Sequence, residues 1–402
     1  MKKVKIQTLT PVHIGTGETI EPVCFQPSGK NPSVLNYYRF QDVMSLIPMN
    51  KETYIRFLTD LAANSNKRDF YRQIAGNTRK LSPVYQVKWN FSRSFEQEFY
   101  TTRRKKGQMM TINEQVKSLA EPIIPGSSIK GAVECALKYS FLKSNLSLIR
   151  NNIDRYCRQQ KGKKTRDSFL FSLVYGESDH SLLLQREEFL KALNSCISVR
   201  DIQFHDLELL SANLYHLDAD KSNKDFGTAF CEVIPAKAET ESVSVIQIVE
   251  HRVRRVKEQY GNDPKCRELI ALFTDLDVIR QAVNDYGRDT LKALDNSDYQ
   301  DLYDYIGSGS YSVIKNVFKQ TDVFGMKPSK MILRLGAETF YFSKTVSWLF
   351  KTEFPDHFDY FFDSVFSPVK KADPEYFPDT TKMFENDKEA WLPGYVSFEI
   401  CS

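Results

Sequence analysis

The sequence predicts an α+β protein built from two ferredoxin-like units with insertions, and three observations predict it. Residues 2–9 alternate Val4, Ile6 and Thr8 against Lys3, Lys5 and Gln7, the period-two pattern of a strand with one buried face. After Pro125-Gly126-Ser127-Ser128, where two hydroxyls can cap a helix, Ile129, Val133, Ala136, Leu137 and Phe141 fall on one helical face. Strand signals resume after each helical stretch. An order of strand, helix, strands, helix, strands fits helices covering one face of an antiparallel sheet.

Along the chain, Pro11 and the Gly15-Thr16-Gly17 cluster end the first strand in a glycine-bearing loop. Residues 35–75 carry helical spacings, with Leu58, Leu61 and Ala62 after Tyr54, and Val84 to Phe99 is mixed and aromatic. This stretch is expected to be an insertion at about 35–120. The polar run at 158–168 has no apolar period and reads as a surface loop. Ile197 to Phe204 alternates as a strand, and 233–235 and 242–249 give further strands. A long amphipathic helix is predicted over 266–286 from Leu269, Leu272, Phe273, Leu276, Ile279, Val283 and Tyr286, and a shorter one from Phe358, Phe361, Phe362, Val365 and Phe366. Two units are therefore expected, 1–225 and 226–402.

With 402 residues, 41% hydrophobic and 13% aromatic, the chain can build packed cores. The N-terminus turns polar too soon after its lysines for a signal peptide, and no run of about 18 apolar residues is present. A cytoplasmic protein with no membrane partner is expected. The seven cysteines form no C-x-x-C pair and no zinc-like array with histidine, so neither metal nor cofactor is expected. A net charge of +4 permits nucleic-acid binding without demanding it.

Several segments could carry chemistry. In Pro125-Gly126-Ser127-Ser128-Ile129-Lys130-Gly131, backbone N–H groups, two hydroxyls and a lysine crowd the positive end of a helix. That arrangement suits a phosphate, while an ordinary cap with Lys130 in water is the plain alternative. No P-loop pattern is present. His13, in Thr10-Pro11-Val12-His13-Ile14-Gly15-Thr16-Gly17, stands beside glycines that allow close backbone approach. It could bond RNA or act as a base, but no second catalytic group is evident to pair with it. Asp201, His205 and Asp206 offer too few ligands on one face for a metal. The stretch 333–346 sets Arg334 and Lys344 around the turn at Gly336, with aromatics at 340–342, a surface able to follow an RNA backbone and stack a base. Basic clusters at 103–106 and 251–257 could meet phosphates or simply face solvent.

In this order the segments resemble the RAMP superfamily of CRISPR proteins. The resemblance rests on TPVHIGTG at 10–17, IPGSSIKGA at 124–132, RLGAETF at 334–340 and PGYVSFEI at 393–400, with VYGES at 174–178, ISVRD at 197–201 and CEVIP at 231–235 between them. Within that superfamily the chain is most similar to the fifth Csm subunit of type III-A effector complexes. The resemblance implies two RRM-like RAMP domains and a non-catalytic subunit capping the filament at the 3′ end of the guide crRNA, supporting crRNA maturation and antiviral defence. Implied partners are crRNA, the backbone RAMP subunit and the small helical subunit, and target RNA and a host nuclease are compatible with it. The expected RNA-binding residues are His13, Gly15, Gly126, Ser127, Ser128, Lys130, Arg334, Gly336 and Lys344. Glu338 would repel phosphate, so closer contact is expected at Gly126 to Lys130. Two alternatives remain: a metal-independent RAMP endoribonuclease cutting precursor crRNA with His13 as base, and a pure protein-interaction subunit.

Overall fold

In a computed structural model of the protein, the structure describes residues 3–29, 31–46, 52, 71–72, 74, 77–100, 112–160, 167–216, 224–293, 308–320, 329–337, 339, 341–361 and 380–400. The first strand, Lys3–Thr8, lies inside a four-stranded antiparallel sheet in the order Glu239–Val243, Lys3–Thr8, Tyr395–Ile400, Lys330–Arg334. Strands from both sides of residue 225 therefore share this sheet. Period two is realised as expected: Ile6 is fully buried. On the outer face Lys5 pairs with Glu239 at 2.9 Å and Lys3 with Glu241 at 3.3 Å.

Helices Gly126–Ser144 and Leu276–Lys292 pack on each other and on the strand Lys330–Arg334. The Tyr139 and Tyr286 rings meet at 5.0 Å, and Asp289 accepts from the Tyr139 hydroxyl at 3.1 Å. Lys330–Arg334 is an edge strand, with backbone groups that need partners. Buried Asn284 supplies them: its Nδ2 donates to Lys330 O at 2.9 Å, and its Oδ1 accepts from Ile332 N at 3.0 Å.

A nine-stranded sheet runs in the order Gly15–Ile20, Ile112–Gln115, Lys224–Val233, Glu208–His216, Tyr85–Lys88, Asn31–Tyr37, Phe25–Ser28, with Thr380–Glu385 and Ala390–Trp391 attached beside Glu208–His216. Its own aromatic cluster, with Trp89, Phe95 and Phe230, is separate from the main core. Strand Tyr85–Lys88 lies within the range expected to be an insertion, and Asn31–Tyr37 runs into its start.

Four local expectations differ from the structure. Residues 15–20 form a bulged edge strand rather than a loop, and Gly17, at φ 89°, sits in the irregular stretch. The long helix over 266–286 is two, Pro264–Thr274 and Leu276–Lys292, because extended Asp275 accepts from Asp277 N and Val278 N and caps the second. The strand over 197–204 splits at Arg200: Ile197–Val199 pairs with Ile246–Ile248, and Ile202–Gln203 pairs with Glu121–Ile124. The strand over 242–249 breaks at Ser244, whose φ is 52°. Tyr54, Leu58, Leu61 and Ala62, which carry the expected helical spacing, the basic cluster 103–106, and Phe362, Val365 and Phe366 lie outside the described residues, as do 161–166 of the polar run. No helix among the described residues is long and apolar enough to cross a membrane.

Replacing Asp275 with alanine removes a cap bonded to two first-turn N–H groups and should destabilise the fold by about 1 kcal/mol. Urea unfolding of the variant against the parent measures this, and an unchanged midpoint would contradict the capping role.

Candidate nucleic-acid interface

Three segments far apart in sequence interlock where the first strand leaves the four-stranded sheet. Leu9 N and Thr10 N donate to Tyr395 O at 2.8 and 3.3 Å, and Tyr395 N donates to Thr10 Oγ1 at 2.9 Å. Gly394 N donates to Pro11 O, Leu335 N to Gly394 O, and Ala337 N to His13 O, at 2.9, 2.7 and 3.1 Å. Two glycines permit this approach. A Cβ on Gly336, at φ +112°, would stand 2.4 Å from His13 O, and one on Gly394, at φ +94°, 2.1 Å from Leu335 O. The structure thus brings His13, Arg334, Gly336 and Lys344 together. Arg334 lies over the Tyr395 ring at 5.0 Å and donates to Pro393 O at 3.1 Å. Lys344 is exposed and donates to Ala337 O at 2.6 Å. Glu338 and Phe340 lie outside the described residues.

His13 itself is only 3% exposed, and its Nδ1 is 2.8 Å from Glu232 O. Gly15 belongs to this arrangement, since a Cβ there would be 2.9 Å from His13 Nε2. Beneath the loop lies a polar cluster that sequence reasoning missed. The Glu232 carboxylate has no exposed surface and accepts from Lys117 Nζ at 2.5 Å, Tyr85 OH at 2.7 Å and Gln115 N at 3.1 Å. Burial pushes the Glu232 carboxyl above the ordinary carboxylate range, with Lys117 opposing the shift. Burial and the neighbouring Glu232 drive the Tyr85 phenol well upward. The signal in the sequence was a charged residue inside the apolar run Cys231 to Ile234, facing a lysine that no local pattern connects to it.

Gln115, also fully buried, joins the two most specific motifs. Its Oε1 accepts from Ile14 N at 2.7 Å, and its Nε2 donates to Ile123 O at 3.0 Å, two residues before Pro125. From there the helix Gly126–Ser144 starts as expected. Gly126 is buried against Val199 and Arg200, and its N–H donates to the Asp201 carboxylate at 2.7 Å. Ser128 N and Ile129 N donate to Pro125 O. Ser127 is exposed, and Ser128 and Lys130 are half-buried. Asp201 thus places a negative charge beside the site where a phosphate is expected. Its two neighbours go elsewhere: His205 Nδ1 lies 2.9 Å from Glu121 Oε1, and Asp206 pairs with Lys88 at 3.2 Å. Among the described residues no cluster could hold a metal ion.

Helices packed on an antiparallel sheet, with glycine turns locking a loop against its end, define the class of α+β protein. The chain belongs to the RAMP superfamily, whose family model matches residues 5–265. Two solved structures resemble it in fold. One is a chain from a Csm-crRNA-target RNA ternary complex in a type III-A CRISPR-Cas system, with 17% identity over 99% of this chain and 100% of the other, at a TM-score of 0.58. The second is the crystal structure of T. onnurineus Csm5, with 16% identity over 98% and 99% of the two chains, at a TM-score of 0.56. No curated protein matches the sequence.

Replacing Lys117 with methionine strands a fully buried carboxylate and should destabilise the fold by about 3–5 kcal/mol at neutral pH. The folded Glu232 holds its proton to higher pH than the unfolded one does. Its contribution is therefore full below the unfolded pKa and declines as pH rises through the raised folded value. The variant should accordingly regain part of its stability on acidification, as read by urea unfolding across pH. A deficit that stays constant with pH would argue against a charged Glu232.

Proposed function

We propose that this chain is an RNA-holding subunit of a type III-A CRISPR effector, without a catalytic role of its own, standing at the filament end near the 3′ end of the guide crRNA. The observation that carries the reading is the meeting of the 10–17, 334–337 and 393–395 segments at one sheet end, linked through Gln115 to the start of the helix at Gly126. Near-complete coverage of both solved Csm-related chains supports the placement within such a complex. The subunit would work in the cytoplasm beside the backbone and small helical subunits, with target RNA and a recruited nuclease as further partners.

Within this reading His13 ties loops together, and phosphate contact falls to more exposed groups. Ser127 and Ser128, Lys130 and Lys344 offer donors, and Arg334 is held over the Tyr395 ring. The burial of His13 and the engagement of its Nδ1 favour this over a general base, which must reach the proton that it removes.

Substituting Ser127, Ser128 and Lys130 together by alanine should weaken retention of guide RNA. The salt dependence should become shallower by about 0.7 in the log–log slope, one phosphate contact on a single strand. In the co-expressed complex, omitting this subunit should remove the normal 3′ end of the guide and the terminal position in the assembly. Accumulated precursor RNA, restored to processing by the isolated chain but not by His13→Ala, would instead identify a ribonuclease.

A further inference from the structure

The helix Glu250–Tyr260 turns Val256 inward and exposes Arg252, Arg254, Arg255 and Lys257. None of these four makes an ion pair among the described residues. Arg254 and Lys257, three residues apart and so neighbours on the helix surface, overlook an open groove of about 810 Å³. Its apolar lining comes from Ile246, Ile248, Val253 and Leu276, and Ser244 and Gln247 add polar groups. Two carboxylates also line it. Asp275 is engaged in capping the helix Leu276–Lys292, and Glu250 stands in the first turn of its own helix, where the helix dipole favours it. The volume falls within the range of ligand clefts, roughly 300–1,000 Å³.

The wall of this groove is joined to the helix start at Gly126 through the ribbon Ile197–Val199/Ile246–Ile248. Gly126 rests on the backbone of Val199 and Arg200, Val199 pairs with Ile246 in the two-stranded ribbon, and Arg200 N donates to Val245 O at 3.0 Å. The backbone of exposed Arg200 thus touches both Gly126 at the helix start and Val245 beside the groove. The same proximity is visible at the Cys196 thiol, which burial raises while Arg252 and Lys130 pull it back. Arg252 Nη1 donates to Ser195 O at 2.8 Å, at the carbonyl end of the helix His180–Ser195. Lys130, Arg200, Arg252, Arg254 and Lys257 thus belong to elements that touch in turn: the helix start, the ribbon, and the helix Glu250–Tyr260, of which Arg254 and Lys257 line the groove.

We propose that this groove is a second subsite for the single-stranded RNA held at the helix start, with Arg254 and Lys257 taking phosphates, Arg200 bridging, and the apolar lining receiving sugar and base. The inference rests on the RNA-holding reading above. Exposed cations on both of the connected elements, beside apolar groups able to take sugar and base, favour a nucleic-acid strand over an acidic protein segment.

The test is salt-dependent binding of a single-stranded RNA oligonucleotide to the full chain, comparing Arg254→Gln/Lys257→Gln with the Ser127/Ser128/Lys130 alanine variant. Loss of two phosphate contacts should flatten the log–log slope by about 1.4, and the effect should add to that of the helix-start variant. Unfolding midpoints confirm that each variant is folded, and the single change Lys257→Gln, expected to flatten the slope by about 0.7, serves if the double variant is not. An unchanged slope in the groove variant, with RNA lost in the helix-start variant, overturns the subsite and leaves the RNA-holding reading standing. Unchanged slopes in both variants overturn that reading as well. Unchanged RNA binding with loss of co-purifying Csm subunits would reassign the groove to a protein partner and overturn the proposal.

Discussion

A carboxylate with no exposed surface, Glu232, is the constraint around which the candidate site is organised. Buried charge is tolerated only when it is paired and hydrogen-bonded. Here that requirement draws Lys117, Tyr85 and the backbone of Gln115 to one point. Once Gln115 is fixed, its side-chain amide joins Ile14 to Ile123, and the two most specific motifs of the chain cannot move independently. The backbone carbonyl of Glu232 orients His13 from the other side. A single buried acid therefore sets the relative position of the loop at residues 10–17 and the helix that begins at Gly126.

The motif glycines have a matching physical meaning. Gly336 and Gly394 occupy the left-handed region and lie where any side chain would strike a carbonyl of a neighbouring segment. In a sequence they resemble a flexible loop suited to phosphate. In the folded chain they let three backbones approach, and the polar surface presented to a ligand comes from the residues around them. At the helix start, Asp201 takes the first N–H, leaving the exposed Ser127 and half-buried Lys130 as the groups turned outward.

Much of this was legible in the sequence where the determinant is local. Alternation in Lys3–Thr8 and the apolar stripe after Ser128 identify their elements because burial selects one face at a fixed period. The α+β class follows from their order. What escaped depends on partners distant in sequence or on one residue overruling a period. Leu272, Leu276 and Ile279 keep a helical spacing across Asp275, yet the capping bonds of that aspartate divide the stretch into two helices. Ile197 to Phe204 keeps its alternation while its halves pair with different sheets. The partnership of Glu232 with Lys117 spans more than a hundred residues and leaves no periodic trace.

The two inner strands of the four-stranded sheet, Lys3–Thr8 and Tyr395–Ile400, pair with each other although nearly the whole described chain is synthesised between them. On a ribosome adding about 5–20 residues per second, Lys3–Thr8 waits roughly 20–80 s for Tyr395–Ile400. During that interval Ile6 and the open backbone edge beside it have no finished sheet to enter. A chain interrupted before residue 395 would lack the strand that joins Lys3–Thr8 to Lys330–Arg334, and the sheet would fall into two parts.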